Sequence, residues 1–292
     1  MDHRAFLRSL DPEVKARLFE RNNLSGLLHL AGHMGLIVLT GLWIALALPF
    51  WWLFLPVHGL FLVFLFTLEH EATHKTPFET DALNTWGGRA SGLVILLPFT
   101  WFRYFHLAHH RYTNDPERDP ELTFGGKPKG WRAYLHYVSG VQYWISMART
   151  IRRLAIGKSF EDFVPDRSQA VITREARLMC VVYGLAMLSL FVSPLVIWVW
   201  VLPMILGQPF LRLYLLAEHG RCPAVADMFL NTRTTYTNRA MRFLAWNMPF
   251  HIEHHSAPQV PFHKLAELNR LTERHLTSTS TSYRAFHREY VC

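Results

Sequence analysis

Nearly half of the histidines in this chain fall into three groups whose spacing fits one face of a helix. The chain has 17 histidines, and the grouped ones are His70 and His74, then His106, His109 and His110, then His251, His254 and His255. Positions i, i+3 and i+4 of a helix lie on the same face, so the imidazoles within each group converge. Imidazole nitrogens bind Zn, Cu, Fe and Ni, and the groups therefore predict a metal site.

The grouped histidines outnumber the ligands that one metal ion needs. A structural zinc ion takes about four protein ligands, whereas eight imidazoles suit two metal ions that keep open coordination positions. Carboxylates commonly orient metal-bound imidazoles through the second ring nitrogen. The acidic residues near the groups are the candidates for this role: Glu71, Asp115, Asp119, Glu218 and Glu253. Each of them could equally pair with a neighbouring arginine.

One segment also matches a different kind of metal site. Residues 70–74, HEATH, fit the HExxH motif, in which two histidines bind zinc and the glutamate is the general base of a metalloprotease. An intramembrane zinc metalloprotease is therefore an alternative. It leaves both His-x-x-His-His groups without a role, so a site with two metal ions accounts for more of the sequence.

The composition is that of a membrane protein. Half of the residues are apolar and only 18% are charged, whereas soluble domains carry about 25% charged residues. The net charge of +8 does not come from one basic tract, and no helix-turn-helix pattern is present, so we expect no nucleic-acid partner. Cys180, Cys222 and Cys292 lie far apart and predict neither a disulfide framework nor a thiolate metal site.

Four apolar runs predict an all-α integral membrane protein in which residues 1–292 form a single domain. The expected spans are about 24–48, 51–70, 177–193 and 195–218, each within the roughly 17 to 25 residues of a transmembrane helix. The remaining segments, 71–176 and 219–292, are expected to form a cytosolic helical cap. The histidine groups then lie at the ends of spans or in the cap, where a metal site is accessible from the membrane surface.

The basic residues predict the orientation of these spans. Of 30 lysines and arginines, five precede the first span, 15 lie between the second and third, and nine follow the fourth. The two short connections on the other side have none, so the positive-inside rule places both termini and the cap in the cytoplasm. Residues 1–23 are charged and amphipathic, and we expect no cleaved signal peptide there.

Three further histidines, His29, His33 and His58, fall inside the predicted spans. Polar groups within a membrane are costly and are often functional. Because the sequence offers them no clustered partner, we expect these three to make structural hydrogen bonds.

The three histidine groups resemble the histidine boxes of the membrane fatty acid desaturase and hydroxylase superfamily. The flanking sequences are similar to those of bacterial desaturase-like proteins: HHRYTNDPERDP in the second group, and NTRTTYTNR followed by WNMPFHIEHHSAPQVPFHKL around the third. The likeness runs from about residue 50 to 270. It implies a helical membrane stem in a bacterial inner membrane and a cytosolic cap that holds a non-haem di-iron centre. It also implies an O2- and electron-dependent attack on a C–H bond of a fatty acyl chain.

The resemblance adds a ninth metal ligand, His219, at the end of the last span. Some desaturases have an asparagine four residues before this histidine, whereas this chain has Leu215. That difference leaves a membrane hydroxylase or monooxygenase of a lipid or small molecule as an alternative to the desaturase. Because the sequence has no HPGG haem motif, the electrons are expected from a separate ferredoxin, rubredoxin or cytochrome b5-like carrier with its reductase.

Overall fold

Helices form almost the whole of the computed structural model, which describes residues 1–291. Within this range the strands are limited to one parallel pair, β1 (Thr234–Thr235) and β2 (Thr279–Ser280), with Thr234 opposite Thr279. The predicted helical class is therefore confirmed. Cys292, the last residue of the predicted cap, lies outside the described residues.

The N-terminal part of the chain contains five helices. They are α1 His3–Ser9, α2 Pro12–Leu18, α3 Asn23–Ala45, α4 Phe54–Val63 and α5 Leu65–His74. The side chain of Asn22 accepts a hydrogen bond from the Ser25 backbone N–H at 2.8 Å, which caps the long apolar α3. A 3-10 turn at Trp51–Leu53 leads directly into α4, so residues 51–74 run as one nearly continuous helical segment that ends at the first histidine pair.

The middle of the chain folds into six helices. They are α6 Asp81–Ile95, α7 Phe99–Tyr112, α8 Pro120–Thr123, α9 Gly130–Val138, α10 Val141–Ile156 and α11 Asp166–Ser189. Helix α7 carries the second histidine group and packs against α5, which carries the first. Helices α10 and α11 pack against each other on the other side of α7.

The C-terminal part adds six more helices. They are α12 Leu202–His219, α13 Met228–Asn231, α14 Arg239–Leu244, α15 His251–Ser256, α16 Leu265–Thr272 and α17 Tyr283–Val291. A π-helical turn at Ile197–Val201 precedes α12, and 3-10 turns at Phe262–Lys264 and Glu273–His275 flank α16. The third histidine group therefore lies on α15, a helix of only six residues.

Three helical segments are long and apolar enough to cross a membrane. They are Pro12–Ala45, Trp51–His74 and Ile197–His219. These segments contain three of the four predicted spans and identify the chain as a membrane protein. The predicted span at 177–193 falls at the end of α11, whose first half carries several charged residues, and α11 is not among the three.

Helices α4 and α12 touch through glycines. A β-carbon on Gly59 would lie 2.0 Å from the Pro203 carbonyl oxygen, and one on Gly207 would lie 2.3 Å from the Gly59 carbonyl oxygen. Small residues at such a crossing let two membrane helices approach backbone to backbone. This contact brings the C-terminal ends of both segments, and hence the first histidine pair and His219, to the same part of the fold.

We expect Gly59→Ala to destabilise the protein by about 1–3 kcal/mol, because the added methyl group collides with a backbone carbonyl that cannot move freely. The measurement is the melting temperature in detergent. The matched control is Gly184→Ala in α11, where an added β-carbon meets nothing within 4 Å. Alanine favours helix over glycine by about 1 kcal/mol, so the control should melt at the same or a higher temperature. Equal melting of the two variants would contradict the tight crossing.

The three histidines inside the predicted spans make the structural hydrogen bonds that we expected. The Nε2 atoms of His29, His33 and His58 lie 2.7, 2.9 and 3.0 Å from the backbone carbonyl oxygens of three residues, Phe243, Phe61 and Val199. The Val199 carbonyl belongs to the π-helical turn, where the widened helix changes the usual backbone pairing. These imidazoles therefore join helices to one another, and the prediction of a structural role is confirmed.

Candidate metal centre

Four helices bring the histidines together. His70 and His74 lie one turn apart on α5, and α5 ends immediately afterwards because Lys75 takes a left-handed φ of 63°. The second group lies on the last two turns of α7, the third on α15, and His219 is the last residue of α12. Because these four helices end at the same region, their terminal side chains meet inside the protein.

The imidazoles form two adjoining groups that fit metal ions. One contains His70, His106, His110 and His254, and the other contains His109, His219 and His255; the ligand atoms within each group lie within 4.8 Å of one another. The two remaining predicted ligands lie beside them. His74 Nε2 is 2.9 Å from His106 Nε2, and His251 Nε2 is 3.2 Å from His219 Nε2.

The donor set of these groups suits metal ions better than hydrogen bonding alone. Two nitrogens bound to one ion at about 2.1 Å would lie roughly 3 Å apart. The Nε2 atoms of His109 and His219 are 3.2 Å apart, as are those of His254 and His110. The buried His255 Nε2 atom has no hydrogen-bond partner among residues 1–291. Converging lone pairs of this kind are expected of metal ligands.

Burial keeps these imidazoles in the form that binds metal. Desolvation, together with neighbouring imidazoles, lowers the pKa of His106, His110, His254 and His255 well below the usual range. His109 differs: burial alone would lower its pKa, but the nearby Glu121 and Asp119 carboxylates outweigh burial and raise it. Neutral imidazole is the metal-binding form, so the four uncharged side chains need no deprotonation before a metal binds.

Three of the five acidic candidates lie against imidazoles. Asp119 Oδ1 is 2.9 Å from His109 Nδ1, Glu218 Oε1 is 3.4 Å from His251 Nδ1, and Glu71 Oε1 is 3.5 Å from His254 Nδ1. In each pair the carboxylate faces Nδ1, and the other ring nitrogen, Nε2, faces the histidine groups. This is the arrangement by which a carboxylate fixes the orientation and tautomer of a ligand.

The other two acidic candidates have different partners. Asp115 accepts hydrogen bonds from the Arg118 guanidinium at the protein surface, at 2.5 and 2.8 Å. The buried Glu253 accepts hydrogen bonds from three side chains on other elements, namely Thr234, Asn269 and Thr272, at 2.6–2.8 Å. Glu253 therefore ties α15 to β1 and α16, and its carboxylate faces away from the imidazoles on the same helix.

The structure adds contacts for which the sequence gave no signal. Glu121 Oε2 lies 3.8 Å from His109 Nδ1, and the Thr113 hydroxyl lies 3.3 Å from His255 Nδ1. His219 Nδ1 donates to the backbone carbonyl of Asn231 at 3.3 Å. A backbone acceptor carries no side-chain signature. Glu121 could have been noticed only from its position two residues after Asp119.

A cavity of about 230 Å³ adjoins the histidine groups at His219 and Glu218. Its apolar wall includes Phe66 of α5 and Phe102 and Phe105 of α7. Clefts with apolar walls and a few convergent polar groups are the usual form of a small-molecule or lipid site. The cavity therefore offers space for an apolar chain directly beside the candidate metal ligands.

The sequence model of the family described as "Fatty acid desaturase" matches residues 47–287, most of the chain. The chain belongs to the fatty acid desaturase family. The matched range contains all three histidine groups, His219 and the cavity. The prediction of a desaturase-type oxidoreductase is thereby confirmed, and the family assignment favours it over the zinc metalloprotease.

Individual relatives of this desaturase-family protein are lipid enzymes at modest identity. It is 24% identical over 258 residues to the sn-1 oleoyl-lipid 12-desaturase of Picosynechococcus sp., which covers 80% of this chain and 72% of the relative. It is 26% identical over 208 residues to the sphingolipid delta(4)-desaturase/C4-monooxygenase DES2 of Mus musculus, covering 69% of this chain. The match spans only 59% of that mouse relative's length.

Proposed function

We propose that this protein holds two iron ions and uses O2 and electrons to introduce a double bond into a fatty acyl chain of a membrane lipid. The observation that carries the proposal is the meeting of nine histidines in two adjoining groups, beside an apolar cavity, in a member of the fatty acid desaturase family. Eight or nine imidazoles exceed the needs of one ion and suit two.

The grouping suggests which side chains hold each ion. His70, His106, His110 and His254 would hold one ion, with His74 adjacent. His109, His219 and His255 would hold the other, with His251 adjacent. When bound, the two irons would supply the O2 chemistry needed to remove hydrogen from an unactivated C–H bond.

The protein's own groups would position the ligands and the substrate. Asp119, Glu218 and Glu71 face the Nδ1 atoms of His109, His251 and His254, and so restrain ring rotation and tautomer. The aromatic wall of the cavity would hold an acyl chain and exclude water beside His219. Selectivity for one pair of carbons would follow from how the chain is held, since a rigid site reaches only part of it.

We further propose four spans with both termini and the cap on the cytoplasmic side of a bacterial inner membrane. The fourth span would be the end of α11, whose apolar side chains face outward: Leu185 and Leu188 are each 60% exposed, and Phe191 just beyond the helix is 89% exposed. Exposed apolar surface of this size needs a partner or a membrane. The cytoplasmic cap would receive electrons from a separate ferredoxin, rubredoxin or cytochrome b5-like carrier with its reductase.

Hydroxylation is the second candidate function. The mouse relative is named both a desaturase and a C4-monooxygenase, so one protein in this set of relatives carries both activities in its name. In this chain the two outcomes would differ only in whether the attacked carbon loses a second hydrogen or gains a hydroxyl group. The same histidines and cavity would serve both.

The test is expression in a bacterial host grown with iron, followed by mass spectrometry of its lipids. A new acyl species lighter by two hydrogens than its precursor is the expected product, and a species heavier by one oxygen would support the hydroxylase instead. A strain with the empty vector corrects for host desaturases. Neither product from a protein that is iron-loaded and supplied with reductant, O2 and lipid would refute both proposals.

A further inference from the structure

Arg212 lies at the boundary between the outward-facing and the buried parts of α12. Up to that point the helix carries exposed apolar side chains, with Ile205 49% and Phe210 46% exposed. From Leu211 onward the large apolar side chains of α12 are buried or half-buried, and the helix ends at His219. In a membrane, the end of the lipid-facing surface is the depth at which the hydrocarbon layer ends and the polar parts of lipids begin.

The guanidinium of Arg212 is held in place but lacks a polar partner. Its central carbon lies 4.7 Å from the ring centroid of Tyr143 and 5.8 Å from that of Tyr137, both from the turn between α9 and α10. Among residues 1–291 no hydrogen bond or ion pair reaches it, and its Nε atom is buried and unsatisfied. A buried charge-bearing donor without an acceptor is costly, so an acceptor from outside the described protein is expected.

The other charged groups around the same cavity already have partners. Lys127 donates to the His219 carbonyl at 2.6 Å, and the Glu218 carboxylate lies 3.4 Å from His251 Nδ1. Glu121 lies 3.8 Å from His109 Nδ1. Arg212 therefore stands apart from the other charged groups of the cavity wall in the described part of the chain.

Arg212 and His219 lie on the same face of α12. They are seven residues apart, which is almost two complete turns and about 10 Å along the helix axis. The cavity extends between them, with Leu215 on the same wall. An amphipathic molecule that is bound at Arg212 would thus pass its apolar part along the cavity toward the candidate metal ligands.

We propose that Arg212 binds the carbonyl oxygen at the head of the acyl substrate and so fixes which carbons reach the metal centre. This inference rests on the proposed function and adds the substrate group that is recognised. The ligand chemistry is an acyl oxygen acceptor, which occurs both in a free fatty acid carboxylate and in the ester carbonyl of a membrane lipid. Guanidinium suits either, because its fixed N–H donors match planar oxygen acceptors.

The first experiment measures binding without any turnover. Dibromostearic acid, its methyl ester and dibromo-octadecane share one apolar chain and differ only in the head group, and bromine quenches nearby tryptophan fluorescence. Trp101 lines the cavity and is 2% exposed, so quenching that disappears in Trp101→Phe reports on this cavity. The probes are titrated into the full-length protein in detergent.

The wild-type protein should bind at least one of the two oxygen-containing probes about tenfold more tightly than the hydrocarbon. Arg212→Met should abolish this preference while binding the hydrocarbon as before, which also shows that the cavity is intact. Arg212→Lys, which keeps the charge but not the fork of donors, should retain part of it. The matched control is Arg132→Met, which removes an exposed arginine that lies 5.3 Å from the Trp131 ring on α9; it should change nothing.

Preference for the acid alone would assign a free carboxylate, and equal binding of acid and ester would assign the carbonyl of an esterified lipid. The inference is overturned if the wild type shows no preference or if Arg212→Met keeps it. Lipid analysis with the same protein separates the two proposals. An intact preference without any oxidised product would refute the proposed function alone, whereas product formation without a preference would refute the role of Arg212 alone.

Discussion

His109→Ala is expected to remove both bound iron and turnover. The His109 Nε2 atom lies 3.2 Å from His219 Nε2 in the second histidine group, and the alanine leaves that group with two members, His219 and His255. Losing only the hydrogen-bond partner of a ligand costs roughly 10- to 100-fold in affinity or activity, so losing the ligand should cost more than about 100-fold in turnover. Iron and zinc per chain are measured together with product formation.

The control for this variant is His136→Ala. His136 is an exposed side chain on α9, outside the histidine groups. It should leave iron content and turnover at the wild-type level of about two irons per chain, as expected for two ions sharing the nine imidazoles. Full activity and full iron content in His109→Ala would contradict the assignment of this residue as a ligand. One zinc and no iron in the wild type would contradict the di-iron proposal itself.

Asp119→Asn is expected to lower iron affinity and turnover by about 10- to 100-fold, although it removes no ligand. Asp119 Oδ1 lies 2.9 Å from His109 Nδ1, and Oδ2 accepts from the Asn114 backbone N–H at 2.7 Å. The carboxylate and its partner imidazole are both fully buried, so the negative charge acts on His109 with little solvent screening. Iron titration of the metal-free protein measures the affinity, and steady-state product formation measures turnover.

The same loop supplies the matched control, Asp115→Asn. Asp115 lies four residues earlier and pairs with Arg118 at the surface, a type of contact worth about 1 kcal/mol or less. Iron affinity and turnover should stay at the wild-type level. Equal effects of the two substitutions would show that the loop as a whole matters, and would contradict a specific role for the Asp119–His109 pair.

The sequence predicted the metal-binding histidines well because helical spacing is a local property. Residues i, i+3 and i+4 share a face in any helix, so each group could be recognised without knowing where the others lie. The choice among carboxylates needed the tertiary structure. Glu71 is next to His70 in sequence but faces His254 of α15, and only the packing of α5 against α15 produces that pair.

Glu253 illustrates the opposite error in sequence reasoning. It lies inside the third histidine group, but a residue two positions along a helix points to a different side. The structure directs it to Thr234, Asn269 and Thr272, where it joins three elements of the cap. Nearness in sequence to a ligand was therefore a weaker guide than helical phase.

The sequence by itself determined the helical membrane class, the family and the residues that converge as candidate ligands, since apolar run length and ligand spacing are written locally along the chain. Only the tertiary structure decided how the imidazoles divide into two groups, which carboxylates orient them and where a cavity meets them. Those features depend on side chains from helices far apart in sequence. Arg212 shows the difference: in sequence it is one arginine in an apolar run, and in the fold it faces a cavity whose other end is His219.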